Sequence, residues 1–535
     1  MTTSTSGPIE TDSPTSTDRP LGPGTATGRR RALPEAIRAP FSDPALRVPT
    51  IVGLIGAVVA VAAGTLVRPG GAPTLLYPLT GRFMVWGDRT LVVVVSLCGV
   101  GALLAAWVAV FTAVRRRYHE RNPVPVSTAV GLWLVWALPF ALGPALFSRD
   151  IFSYAGQGET VAQGFDPSML GVRVLGPSNE FLALVDPVWR GTPCPYGPFW
   201  LWISSAFASL SGHQPLVSVL MFRILALASV AVSVWCLIRL ARHYGGDVAT
   251  VVVLAVGNPI VMLHAVSGAH NEALMMALIL IGMVLAVEGY LIPGVVACAL
   301  AASIKIPAFA AVVFLGWAAA GPGSTLARRL WSTAWVSAVG GAVVALVSVV
   351  SGRGFGWLGA LQSAGGARSL VAPARVAGIA AADVLGWIGI DLYDADVKRA
   401  TTLLGLGLAA ALSALILLRT KDRVPFVSLG LALLVVSLLG PALYPWYVLP
   451  AFAVMALTLR ESRMWLIIVL SVIGCVITFP SGTTALYRVG GLGPWIVPAI
   501  TLGGLIFWYR TLRPRGDAAD EPADLEPSAA PGPFG

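Results

Sequence analysis

The chain has 535 residues, 56% of them hydrophobic and 12% charged, with a mean hydropathy of +0.79. A soluble chain carries about twice that charged fraction, so the composition excludes a soluble globular enzyme. The net charge of +10 comes from arginine, since Lys305, Lys398 and Lys421 are the lysines; such an excess in a membrane protein reports orientation and anionic lipid, so no nucleic-acid partner is expected.

Residues 1–47 are rich in Ser, Thr, Pro and Gly and are expected to form a disordered cytoplasmic tail. They are too long and polar to begin a signal peptide. Apolar runs of roughly 17 to 25 residues then recur from Val48 to Tyr509. The runs lack the short alternating pattern of spanning strands, which predicts an all-α polytopic membrane protein. Short arginine-bearing loops at Arg115, Arg239, Arg328, Arg419, Arg460 and Arg510 are expected on the cytoplasmic side. Threading the runs between them gives about fourteen transmembrane helices with both termini inside. The spans are expected near 49–67, 90–114, 128–147, 216–240, 248–264, 272–288, 290–304, 306–320, 331–350, 401–418, 424–440, 446–459, 464–479 and 494–510. The segment 374–390 reads as a partial span or a re-entrant helix, and 511–535 as a second disordered tail.

Residues 148–214 and 351–400 are left as two large extracytoplasmic loops in a catalytic domain covering 48–510. The run Phe199 to His213 is too short to cross, and counting it as a span would put Arg239 outside. It is expected to lie in the outer interface, with Trp200 and Trp202 among the headgroups. Of the five cysteines, all but Cys194 fall inside apolar runs, and no CxxC spacing occurs. Neither a structural disulfide nor a metal cluster is expected.

The first loop opens with FSRDIFSYAGQGE, Phe147 to Glu159, where Arg149 and Asp150 appear just as the chain leaves the membrane. Asp150, Tyr154 and Gln157 fall at helical spacing and share a face, while Glu159 points elsewhere and is expected exposed. GFDP ends that helix, and TPCPYGP makes a rigid turn into the interfacial run. Such a loop can hold a carboxylate in a fixed place over a membrane-embedded cleft.

The segments SRDIFSYAGQG, DPVWRGTPCPYGP, HNEALM, KIPA and LGPALYPWYVLP, in this order, resemble those of the actinobacterial polyprenol-phosphate-mannose-dependent α-1,6-mannosyltransferases of lipomannan synthesis. That family belongs to the GT-C superfamily of membrane glycosyltransferases, and the resemblance covers roughly residues 50 to 510. It implies a GT-C fold in the plasma membrane with the active site on the extracytoplasmic face. It also implies a polyprenyl-phosphate-mannose donor and a growing glycolipid mannan acceptor. A first-loop carboxylate, here Asp150, deprotonates the acceptor hydroxyl, and polyprenyl phosphate leaves with inversion at the anomeric carbon. An Asp suffices there without a raised pKa, because the hydroxyl becomes acidic only as the new bond forms. No cofactor and no metal are expected.

Each candidate has a plainer reading beside the functional one. Asp150 is either the general base or a solvated helix cap paired with Arg149, and Arg149 is either that partner or a guide for the departing phosphate. Arg190, with Asp186 and Trp189, either lines the acceptor groove or holds the loop, whereas Tyr196 reads as a loop anchor. His264, His270, Asn271 and Glu272 cluster at the outer ends of two spans, as substrate ligands or as an interhelical hydrogen-bonded pair. Lys305 has no acid near it in sequence, which suggests the donor phosphate as its partner; snorkelling to headgroups is the alternative. One of Arg353, Arg368 and Arg375 in the second loop is expected to meet a phosphate. Tyr444 and Trp446 either stack on sugar or belong to an aromatic belt. Competing functions are a GT-C transferase for another sugar such as arabinofuranose, a lipid-linked sugar flippase and a scaffold. A flippase keeps its charges near the membrane midplane, whereas these gather at one face.

Overall fold

The computed structural model of the chain describes residues 26–66, 89–364, 371–390, 394–420, 425–457 and 461–481. Helices dominate them, because long apolar runs satisfy their backbone internally. In chain order the principal ones are α1 (Ala26–Ser42), α2 (Pro44–Leu66), α3 (Arg89–His119), α4 (Val126–Leu142), α5 (Asp150–Ala162), α6 (Pro198–Leu210) and α7 (Pro215–His243). There follow α8 (Val248–Ala255), α9 (Pro259–Val261, continued by a π turn over Met262–Ser267), α10 (Glu272–Val287), α11 (Leu291–Ala302), α12 (Phe309–Ala319) and α13 (Leu326–Val350). The last are α14 (Gly356–Ala364), α15 (Pro373–Trp387), α16 (Asp394–Arg419), α17 (Pro425–Leu439), α18 (Leu449–Met455) and α19 (Glu461–Ile477).

Five helices are long and apolar enough to cross a membrane, and α8 with α9 makes a sixth if a pair bent by 46° counts as one span. Seven further apolar helices of 10–17 residues fall on other expected spans. Seventeen residues of helix reach about 25 Å, short of a bilayer core of roughly 30 Å. The expected span 494–510 lies outside the described residues. The disorder expected over 1–47 does not hold for all of it. α1 is helical and packs against α4, and Arg117 of α3 pairs with Asp43 just beyond its end.

The break between α8 and α9 has a local cause. Pro259 lacks an amide hydrogen, and Asn258 caps the new helix by accepting from the Ile260 amide at 3.1 Å. The Asn258 amide group donates back to Leu254 and across to Ser471 of α19 at 2.7 Å, which fixes the bend. The π turn that follows carries His264. α2 and α3 approach closely because both are glycines where they meet: a Cβ on Gly56 would sit 2.6 Å from the Gly99 carbonyl oxygen.

Contacts between helix ends sort into two groups. Arg239 pairs with Glu288, Arg329 lies over Trp317, and the Trp317 indole donates to the Thr420 carbonyl. These are the arginine-bearing ends. At the opposite ends, the Arg353 guanidinium donates to the Phe165 carbonyl, joining the two large loops. The Gly197 and Phe199 amides donate to Ile304 and Ser303, tying the first loop to the turn after α11. Among the described residues, the two long loops therefore share one side of the bundle, and the helix ends at Arg239, Arg329 and Thr420 lie at the other.

α6 is 13 residues long and packs along α5. Trp202 is half exposed, but Trp200 is buried against Tyr154 at 5.0 Å and Phe222 at 5.4 Å, so only one of the two tryptophans fits a headgroup position. α5 itself is enclosed, with every residue from Ile151 to Val161 buried. Gly158 permits this, since any Cβ there would collide with the Ser204 backbone of α6.

Candidate active site

Asp150 is the first residue of α5, and its amide donates to the Ser148 hydroxyl at 3.1 Å. Its carboxylate keeps 19% exposure, and Oδ2 lies 3.6 Å from Nδ1 of the buried His270. One turn along α5, the Tyr154 hydroxyl sits 3.3 Å from the same nitrogen. The helical spacing thus places both side chains against one imidazole, as i and i+4 require. Gln157, the next residue on that face, has a buried carbonyl oxygen with no partner.

Burial pushes the Asp150 carboxyl up to about 7, the Glu272 charge adds to that, and Lys305 and the Ser148 hydroxyl pull it back. This departs from the ordinary value expected from sequence, because the residue lies among buried groups. A base with a pKa near the operating pH is well matched to taking a proton. Burial likewise holds the Tyr154 phenol well above its ordinary range, so it stays protonated.

Lys305 has an acid partner after all. Its ammonium bonds Glu272 Oε1, which comes from the first turn of α10, 33 residues away in sequence. The same nitrogen stands 3.6 Å over the Tyr447 ring and 5.6 Å from that of Tyr196. Glu272 is fully buried and its Oε2 has no hydrogen-bond partner.

His270 lies flat on Trp446, with ring centroids 3.8 Å apart and planes at 18°. Trp446 stacks in turn with Tyr444 at 4.8 Å and 6°, and meets His264 at 5.3 Å. Trp446 keeps only 6% exposure, so it holds up the histidine, while the half-buried Tyr444 is the more open end of the stack. Both ring nitrogens of His264, Nε2 of His270 and the side-chain amide of Asn271 are buried without partners. These buried polar groups adjoin the His270 ring. Two non-glycine residues of positive φ adjoin the site: Phe147 (64°) just before Ser148, and Ala269 (50°) just before His270. Such strain persists where surrounding packing enforces it, often at functional sites.

The family model described as "Alpha-(1->6)-mannopyranosyltransferase, N-terminal domain" matches residues 50–321, and "MptB C-terminal domain" matches residues 373–513. The chain belongs to the alpha-(1->6)-mannopyranosyltransferase family. Relatives include alpha-(1->6)-mannopyranosyltransferase A of Mycobacterium tuberculosis, 31% identical over 79% of this chain and 82% of the relative. A probable alpha-(1->6)-mannopyranosyltransferase of Mycolicibacterium smegmatis is 30% identical over 79% and 81%. Alpha-(1->6)-mannopyranosyltransferase B of Corynebacterium glutamicum is 29% identical over 76% and 72%. Asp150, His270, Glu272 and Lys305 lie within the N-terminal match, and Tyr444 and Trp446 within the C-terminal one. The clustered site residues thus come from both matched regions.

Other expected site residues sit elsewhere. Arg149 does not pair with Asp150; it donates to the Leu184 carbonyl at 2.8 Å and faces Asp186 at 3.8 Å. Arg190 donates to the carbonyls of Val185 and Ala183. Both arginines thereby brace the short helix Glu180–Leu184. Tyr196 packs edge-on against Tyr154 at 5.4 Å, as a loop anchor does. Arg375 lies in the first turn of α15, and Arg368 is outside the described residues.

Glu159 is buried and not exposed as its spacing suggested. It accepts from Gln163 at 2.8 Å and meets His213 Nδ1 at 2.8 Å, closing α5 onto the end of α6. His213 carried no signal in sequence, since it stands in an unremarkable polar turn. Tyr447, which supports Lys305, was hidden among the belt-like aromatics of YPWY. Among the described residues no group of three or more His, Cys, Asp or Glu is placed to hold a metal ion.

Proposed function

We propose that the chain is an inverting α-1,6-mannosyltransferase of the GT-C type, moving mannose from polyprenyl-phosphate-mannose to a growing glycolipid mannan. The end of the bundle that carries the two large loops faces outside the plasma membrane, with the arginine-bearing turns in the cytoplasm. The reading rests on family membership together with one observation. Asp150, the partly open carboxylate of the pocket, stands in the same electrostatic neighbourhood as the Lys305 ammonium. A base and a cation together are what glycosyl transfer from a phosphate ester requires.

The donor head enters from the lipid with its phosphate toward Lys305. The acceptor oxygen attacks the anomeric carbon as the bond from that carbon to the phosphate oxygen breaks. The acceptor proton passes to Asp150, and the phosphate leaves with the bonding electron pair. His270, held by Trp446 and Tyr154, stands beside the carboxylate on its inner side. Tyr444, half-buried at the end of the stack, is the aromatic ring assigned to a sugar. The lipid donor is a substrate, and the chemistry asks for no cofactor.

The test is turnover by purified protein given undecaprenyl-phosphate-mannose and a mannosyl acceptor. The expected product is longer by one α-1,6-linked mannose. Transfer of arabinofuranose instead would replace the donor assignment. No product with any sugar-phosphate lipid would overturn the enzyme reading, and transbilayer movement of the lipid without transfer would make the protein a flippase.

A further inference from the structure

Glu272 presents a physical problem. A carboxylate with no exposure and one oxygen unpartnered is costly to bury, and Lys305 is the cation that offsets it. The helix start at α10 adds a favourable partial charge. The pair is asymmetric: the Lys305 side chain keeps 15% exposure and the Glu272 side chain none. A group arriving from outside the protein therefore meets the ammonium before the carboxylate. Lys305 has three N–H donors, of which one serves Glu272 and the Tyr447 ring lies beneath, so donor capacity remains for an anion.

A lone ammonium in so dry a place would hold a phosphate dianion tightly, because charges there are poorly screened. The leaving polyprenyl phosphate carries more negative charge than the donor diester, so it would be held harder than the substrate. In many enzymes product release limits turnover.

Building on the donor reading above, we propose that Glu272 is a positioning and charge-setting residue. It fixes Lys305 at the pocket while weakening the ammonium's hold on phosphate, so that the polyprenyl phosphate product departs. Glu272 touches no reacting atom in this scheme and acts through Lys305.

The experiment measures binding of undecaprenyl phosphate in detergent micelles to the wild type and to Glu272→Gln, Glu272→Asp, Lys305→Ala and the Lys305→Ala/Glu272→Gln double variant. Glu272→Gln should bind on the order of tenfold tighter, since removing an adjacent negative charge restores the full field of Lys305. Its single-turnover rate should persist while steady-state turnover and KM both fall. Glu272→Asp, whose shorter side chain lengthens the pair, should bind between wild type and Glu272→Gln. Lys305→Ala should bind more weakly, and the double variant should match it.

The pH profile supplies an independent readout. Asp150 is faced by Ser148 and Tyr154 from its own segment, by Asp186 and Tyr196 from the first loop, by His270, Glu272 and Lys305, and by Tyr447. Glu272→Gln removes a like charge, so the acid limb of kcat/KM should move to lower pH. Lys305→Ala should move it to higher pH. An unmoved limb in Glu272→Gln would show that Glu272 exerts no field at Asp150 and would overturn its charge-setting role.

Phosphate binding by Glu272→Gln that is equal to or weaker than wild type overturns the proposal. Should that variant not fold, equal or weaker binding by Glu272→Asp does the same. Wild-type turnover separates the two readings: an active wild type with no tightening rejects the Glu272 role alone. A wild type that neither binds the phosphate lipid nor makes product rejects both.

Discussion

The Asp150 carboxylate faces Nδ1 of His270 at 3.6 Å, and the Asp150 and Lys305 side chains each keep partial exposure, 19% and 15%. The imidazole is in turn held flat against Trp446. Asp150 is therefore backed by stacked aromatic rings.

Asp150→Asn should abolish turnover while undecaprenyl phosphate still binds. In the wild type Asp150 acts only when ionised, so kcat/KM should fall as pH drops through about 7 and level off above it. An acid limb near the ordinary aspartate value, about 4, would move the base elsewhere.

The same raised value has a stability consequence with a defined sign. The folded state holds the Asp150 proton up to about 7, whereas the unfolded chain releases it near 4, so stability declines as pH rises across that window. Asp150→Asn removes the penalty. Its thermal midpoint in detergent should exceed that of the wild type at pH 8 and equal it at pH 4. Equal midpoints at both would show an unstrained carboxylate.

Tyr444 and Trp446 should separate by assay. Trp446→Ala removes the support of His270 from a 6% exposed position and should cost about 3–5 kcal/mol of stability. Tyr444→Ala, at the open end of the stack, should leave folding intact and lower kcat/KM by roughly tenfold, consistent with loss of an aromatic contact of about 0.5–1.5 kcal/mol. Loss of folding in Tyr444→Ala with an unaffected Trp446→Ala would reverse the assignment.

The seam between α5 and α6 is the mechanical support of Asp150. Gly158→Ala places a methyl group against the Ser204 backbone and should destabilise by about 1–3 kcal/mol. Glu159→Ala breaks the buried link to His213 and Gln163 and should cost a similar amount, about 1–3 kcal/mol. Thermal melting in detergent measures both, and midpoints like the wild type's would show that the seam tolerates opening.

Apolar run length and the spacing of arginines sufficed to predict a helical membrane protein with its two long loops on one side. Those properties follow from hydrophobic length and charge, which are read directly along a chain. The i and i+4 spacing likewise placed Asp150 and Tyr154 on one face, and the bend at Asn258 and Pro259 is local chemistry. What the order of residues left open was partnership across distance. Lys305 looked alone because its acid, Glu272, is 33 positions away and is brought to it by the packing of α10 and α11. Trp446 looked free to stack on sugar until His270 covered it. Glu159 looked exposed until α6 closed over α5. Burial and pairing belong to the packed bundle, since they depend on which helix faces are brought together, and that decides which charged group meets the substrate and which is already held.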